Sequence, residues 1–197
     1  MGQEPGTEQA IHEPPMTRLL WREARRQAAI LAVAVATVAA IAFGLGVAAT
    51  AAQASRDETR SADLALVVAP AVPPESLADH VFDVYRRGYA PSLLLAGEGQ
   101  AGLKAQLVAR GVPEAALLSD GASAAATDLR RLARAAAADG ATSALVIAAP
   151  EELLWTLKLV RDQGLRAYAS PVPGEAATPL GVIGGSARYW RYVLVGL

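Results

Sequence analysis

The chain contains no cysteine, two histidines (His12 and His80) and only two lysines (Lys104 and Lys158). Without cysteine there is no disulfide framework, no thiol nucleophile and no thiolate-bound zinc; two histidines exclude a histidine-rich metal centre. No sign of charge predominates: 18 Lys+Arg stand against 19 Asp+Glu, for a net charge of −1. A general nucleic-acid binder carries a basic stripe, so nucleic acid is not an expected partner. Alanine is abundant instead, with 45 of the 197 residues. That excess reads as a base-composition bias, and it dilutes every pattern built from small residues.

The longest run of one character lies near the N-terminus. No charged residue falls between positions 27 and 55, and residues 28–52 are almost wholly apolar. About 20 such residues suffice to cross a bilayer as a helix. Arg18, Arg22, Arg25 and Arg26 flank the run on its left against one acid, Glu23, whereas the right flank, Arg56-Asp57-Glu58-Thr59-Arg60, is balanced. The positive-inside rule then predicts a cytoplasmic tail (residues 1–26), a transmembrane helix (27–52), a polar linker (53–62) and an extracytoplasmic domain (63–197) in a single-pass cell-membrane protein. Trp21 and the arginines fall at headgroup level. Ala52-Gln53-Ala54 has the form of a signal-peptidase site, but the apolar core is longer than the roughly 7–15 residues of a signal sequence, so a retained anchor is expected. Within the run Ala28, Ala32, Ala36, Ala40, Gly44, Ala48 and Ala52 recur every four residues. Such a stripe lets helices pair closely, and self-association through it is expected.

From Asp63 onward, short β-rich runs alternate with helical stretches. Strands are predicted at 64–68, 92–96, 115–118, 143–148 and 166–169, and helices at 75–87, 103–110, 123–138, 150–163 and 188–195. Continuous apolar runs such as Leu64-Ala65-Leu66-Val67-Val68 suit strands buried on both faces. The alternation predicts an α/β domain: a doubly wound, mostly parallel five-stranded sheet.

Ligands of such sheets gather at the C-terminal ends of strands. Gly97-Glu98-Gly99-Gln100-Ala101-Gly102 matches G-x-G-x-x-G between a predicted strand and helix, with Asp120 about 20 residues on, the context of a dinucleotide fingerprint. Two readings stand side by side: Gly97, Gly99 and Gly102 hold a phosphate or nucleotide such as NAD, or they only turn the chain. Ser123 is expected to N-cap the next helix, and Asp128 to complement its dipole. Thr127 lies on the same first turns. Glu151 and Glu152 supply either acid–base chemistry at the mouth of the fourth strand or charge at a helix start. His80 is expected to be solvated. Tyr189-Trp190-Arg191-Tyr192 is expected to pack the last helix or lie on a membrane surface.

The order of several phrases resembles the SanA/YdcF/ElyC-like family of bacterial envelope proteins. These are residues 62–68 after a membrane anchor, Val84-Tyr85-Arg86-Arg87-Gly88-Tyr89-Ala90-Pro91 leading into Leu93-Leu94-Leu95-Ala96-Gly97, Arg110-Gly111-Val112-Pro113-Glu114, and Leu145-Val146-Ile147 with Arg161-Asp162-Gln163-Gly164-Leu165. The resemblance spans about residues 62–172 and implies an α/β domain outside the membrane, linked to envelope and cell-wall precursor metabolism. It keeps Asp120, Ser123 and Thr127, but puts Ala69-Pro70 in place of the family's glycines, Leu77 in place of its arginine, and Ala148-Ala149-Pro150-Glu151-Glu152 in place of its Ser…His…Arg stretch. The expected function is therefore binding or scaffolding in envelope upkeep, with a degenerate pocket and envelope proteins as partners. The alternatives are a hydrolase or transferase on a phosphate-bearing envelope precursor, using Asp120 and Glu151, and a nucleotide-binding domain on residues 97–102. A crevice filled by Leu77 and Leu154 would favour scaffolding.

Overall fold

A computed structural model describes residues 15–119 and 121–196, with backbone alone for 15–19. The predicted cytoplasmic tail up to residue 14, His12 included, and Asp120 lie outside the described residues. The chain divides into two compact units, residues 1–42 and 43–197.

The first unit holds most of α1 (Pro15–Ala54), a 40-residue helix that runs on into the second. Leu20–Ala54 is long and apolar enough to cross a membrane. Its apolar side chains are uncovered: Ile30, Leu31, Val33, Val35 and Val38 are each at least 60% exposed. Apolar groups facing outward all round a helix match a lipid surrounding and not water. The small-residue stripe is exposed from Ala28 to Ala52.

The second unit is a three-layer α/β domain. Its strands are β1 (Leu64–Val68), β2 (Leu93–Ala96), β3 (Leu117–Ser119), β4 (Ser143–Ile147) and β5 (Arg166–Ala169), all parallel in the order β3-β2-β1-β4-β5. Sequence order reverses direction between β1 and β4, the switch point of a doubly wound sheet. The helices are α2 (Glu75–Arg86), α3 (Gln100–Ala109), α4 (Ala126–Ala138), α5 (Leu153–Asp162) and α6 (Pro179–Val195). Alternate residues of each central strand serve opposite faces. Val67, Leu93, Leu95, Leu145 and Ile147 pack under α2 and α3, while Leu66, Val68, Leu94 and Val146 pack under α4, α5 and α6. Burial on both faces explains why β1, β2 and β4 are uninterrupted apolar runs.

Several boundaries differ from those predicted; α3 starts at Gln100 and α4 at Ala126, three residues from the expected positions, and three further differences have a visible cause. A 3-10 turn from Glu114 to Ala116, launched by Pro113, takes residues assigned to the third strand. A second such turn, Pro150–Glu152, precedes α5. Most consequentially, α6 starts at Pro179 and not at residue 188. Thr178 caps it by accepting the Gly181 amide at 3.0 Å, and Pro179 occupies the first turn. Gly181, Gly184 and Gly185 weigh against a helix by propensity, but Gly185 must be bare where it lies on the Glu151 carbonyl, and Gly181 is crowded by the Glu151 carboxylate; Gly184 has open space beside it.

At the N-terminal ends of the two central strands, Asp63 Oδ2 ties the starts of β1 and β4 together. It accepts from the amides of Thr142 (2.7 Å) and Ser143 (2.9 Å) and from both hydroxyls (2.9 and 3.0 Å). These bonds, the Thr142 amide foremost, lower its pKa from 3.8 to about 2. A depressed folded-state pKa means stabilisation that is complete above about pH 5 and lost as pH falls through the folded value. Asp63→Asn is expected to lower Tm at neutral pH, with the gap to the unsubstituted chain closing between about pH 5 and 2 in thermal melts. A gap that stays constant would mean Asp63 does not titrate in this linkage.

Candidate functional site

The C-terminal ends of the strands carry most of the residues singled out above. Gly97 has φ of +103°, and its amide donates to the Ala122 carbonyl at 2.9 Å. A Cβ there would collide with the Ala69 carbonyl, and one on Gly99 with the Pro70 carbonyl and, at 2.7 Å, with Pro73 Cγ. These glycines let the β2–α3 loop lie directly on the β1–α2 loop. Gly102 has looser surroundings, with Pro73 at 3.8 Å from a built Cβ. Gln100 secures the loop from within: its amide group donates to the Ala122 carbonyl at 2.9 Å, and its carbonyl accepts from the Ser119 hydroxyl at 2.7 Å.

Ser123 is not the N-cap of α4. Its amide and hydroxyl both donate to Asp128 Oδ2, at 2.9 and 2.7 Å, and its hydroxyl oxygen accepts from the Ala125 amide at 3.1 Å. The Ser123 hydroxyl, ahead of its amide, holds the Asp128 carboxyl below the usual carboxylate range. The N-cap is Ala125, whose side chain offers no acceptor, so the first amides of α4 have no side-chain cap.

Those amides face a cavity of about 430 Å³ lined by residues 124–127, Glu152, Trp155, Arg188 and Arg191. α4 contributes Thr127. The turn before α5 contributes Glu152, which pairs with Arg188. Arg191 lies three residues further along α6, so both guanidiniums reach the same side of that helix. It is exposed and has no ion-pair partner among the described residues. Trp155 is only 5% exposed, and its indole Nε1 is buried without a hydrogen-bond partner. A buried polar group left unpaired is costly, and the nitrogen is shut away from the open space of the cavity, so the ring lines it by its apolar surface. The wall is rich in donors: two guanidiniums, a hydroxyl and an uncapped helix start. That set suits a phosphate or carboxylate.

Of the residues chosen from sequence, Thr127 and Glu152 line this cavity. Glu151 lies instead beneath α6, its carbonyl against Gly185 and its carboxylate near Gly181. Glu152 is the acid that faces the cavity. Leu77 is buried in the core under α2 and Leu154 is half-buried on α5; neither lines the cavity. Sequence reasoning took Arg191 as part of a packing cluster and passed over Trp155 and Arg188. The i, i+3 spacing of the two arginines falls within the predicted helix 188–195, but nothing along the chain sets that face against Thr127 and Trp155.

His80 is not solvated as expected. It bonds Ser170 Oγ through Nε2 at 2.8 Å; Ser170 meets Thr59 Oγ1 at 2.6 Å, and the Thr59 hydroxyl donates to Asp57 Oδ1 at 2.5 Å. Because Thr59 donates to the carboxylate, it must accept from Ser170, and Ser170 from His80 Nε2–H. The order runs opposite to that of a Ser–His nucleophile pair, and Ser170 is fully buried. This chain of bonds pins the linker after α1 to α2 and the end of β5. Burial, opposed by Asp57 and Asp83 and reinforced by Arg87, lowers the His80 pKa from 6.5. Stability from neutral His80 is therefore full above that value and declines as pH falls below it. Between about pH 7.5 and 5.5, Tm is expected to fall less for His80→Gln, which keeps a donor but does not titrate, than for the unsubstituted chain. Equal falls would remove His80 as the cause.

Comparison with protein-family models, with curated proteins and with solved structures found no match to this chain.

Proposed function

We propose that this chain is a membrane-anchored α/β domain that holds a phosphate-bearing envelope precursor in the cavity between α4, α5 and α6, acting in envelope upkeep as a binding protein. The observation that carries the reading is the donor-rich wall formed by Thr127, Arg188 and Arg191 beside the uncapped start of α4. Two guanidiniums with fixed planar donors recognise phosphate oxygens better than lysines would. Catalysis on the same ligand calls for an unpaired base, and the cavity carboxylate, Glu152, is already held by Arg188.

Retention of the anchor is supported by packing inside the second unit. Thr50 is fully buried, its hydroxyl donating to the Gly46 carbonyl at 2.9 Å, and Gly46 abuts Ser186 and Trp190 of α6. Cleavage after Ala54 would strip the domain of these contacts. The arginines before the span support a cytoplasmic N-terminus and an extracytoplasmic domain.

The test is thermal unfolding of the full chain in detergent with farnesyl phosphate, farnesol or inorganic phosphate. A ligand at 100 times its Kd adds about 2.7 kcal/mol, or roughly 5–10 °C for a domain of this size. Farnesyl phosphate is expected to raise Tm and farnesol is not, and Arg191→Ala with Thr127→Val is expected to abolish the shift. A shift that survives both substitutions would place the ligand elsewhere and overturn the reading.

A further inference from the structure

The cavity continues along α4. Thr127 lines it and also lines a groove of about 420 Å³ that follows the exposed side of that helix, together with Arg130, Arg131, Arg134, Ala135 and Ala138. From Thr127 to Arg134 the helix rises about 10 Å. A single phosphate that meets Arg188 and Arg191 in the cavity is therefore out of reach of Arg134.

Positive charge is in surplus along this path. Five guanidiniums, those of Arg130, Arg131, Arg134, Arg188 and Arg191, stand beside two carboxylates, Glu152 and Asp128. Glu152 is paired with Arg188, and Asp128 is held by the Ser123 hydroxyl with Arg131 nearby. Asp162, which Arg130 also neighbours, is taken up by Lys158 at 2.6 Å and by the Tyr192 hydroxyl at 2.9 Å. Arg130 donates to the Gly196 carbonyl, and Arg134 to Gln163 Oε1 at 3.3 Å. A guanidinium carries five N–H groups, so each of these bonds leaves donors over. The surplus is local. The whole chain has a net charge of −1, and α2, on the other face of the sheet, carries Glu75, Asp79 and Asp83 against Arg86. Cations gathered on one face of a near-neutral chain focus their field on an anionic partner.

We infer that the ligand is a linear chain carrying several phosphates, one seated in the cavity and the next paired with Arg130, Arg131 and Arg134 along α4. Guanidiniums meet phosphate oxygens with two parallel bonds, which suits a row of arginines to a row of phosphates. Single-stranded nucleic acid calls for aromatic rings on which bases stack, and the groove is lined by arginine, alanine and threonine. The inference rests on the cavity taking phosphate and adds the class of ligand: phosphates in a row, joined directly or through a polyol.

The test is isothermal titration of the full chain in detergent with inorganic phosphate, polyphosphate and poly(glycerol phosphate), and with oligothymidylate and polyglutamate of matched charge. At least one phosphate polymer is expected to bind about tenfold or more tightly than inorganic phosphate, because linked groups engage linked sites. The tighter of the two polymers shows how the phosphates are joined. Arg134→Gln, at an exposed site outside the cavity, is expected to weaken that binding severalfold and to reduce the slope of log K against log salt by about 1. It is expected to leave the farnesyl phosphate shift unchanged, and Arg86→Gln, which removes the same charge from α2, to change neither. Polymer binding indifferent to Arg134→Gln, with the farnesyl phosphate shift intact, would overturn the inference and spare the cavity reading. Equal weakening by Arg134→Gln and Arg86→Gln would reduce the binding to general charge attraction and overturn it as well. Tighter binding of oligothymidylate or polyglutamate than of either phosphate polymer would overturn it in favour of nucleic acid or an acidic protein. Absence of any farnesyl phosphate shift, with polymer binding insensitive to Arg191→Ala, would overturn both readings together.

Discussion

The seating of α6 depends on two glycines, one that lays its backbone on the Glu151 carbonyl and one in α1 that makes room for the Ser186 and Trp190 side chains. Gly185 brings the helix onto the Glu151 carbonyl and Thr50, and Gly46 of α1 brings it onto Ser186 and Trp190. A Cβ at either glycine would force these segments apart. The approach decides where the middle of α6 falls, and with it the positions of Arg188 and Arg191 relative to α4. The cavity exists because α6 is held close at one side and leaves a gap at the other.

The sheet supplies the other half of the geometry. Its doubly wound order places the starts of α4 and α5 at the C-terminal edge of the strands, where ligands of such folds gather. In this chain the switch point between β1 and β4 is closed: Ala69 is 2% exposed and Ala148 is fully buried. The loops after β1 and β2 lie on each other through Gly97 and Gly99. Open space is displaced sideways, to the flank formed by α4, α5 and α6. A further set of bonds, from Asp57 through Thr59 and Ser170 to His80, fastens the linker to the domain. The end of α1, the linker and α6 are therefore each tied to the domain by side-chain contacts.

The layout of the fold was legible because it rests on local signals. Uninterrupted apolar runs mark doubly buried strands, and a charge-free run flanked by arginines marks the span. Each also depends on composition over a short window, which sequence displays directly. Legibility failed where a residue's local preference was overruled by a distant partner. The glycines of α6 argue against a helix until Glu151 and Thr50 are set beside them. Ser123 has the chemistry of an N-cap, but Asp128 claims its hydroxyl. His80 sits among charged neighbours in sequence, yet β5 delivers Ser170, 90 positions away, onto its ring.

The sequence alone therefore determined the architecture: one apolar helix followed by an α/β domain with a parallel sheet, since hydrophobic period and chain order leave few other arrangements. Only the tertiary structure decided which polar groups share a site. Thr127, Glu152, Trp155, Arg188 and Arg191 come from three separate helical segments. Their meeting depends on the close packing of α6, which no spacing along the chain encodes.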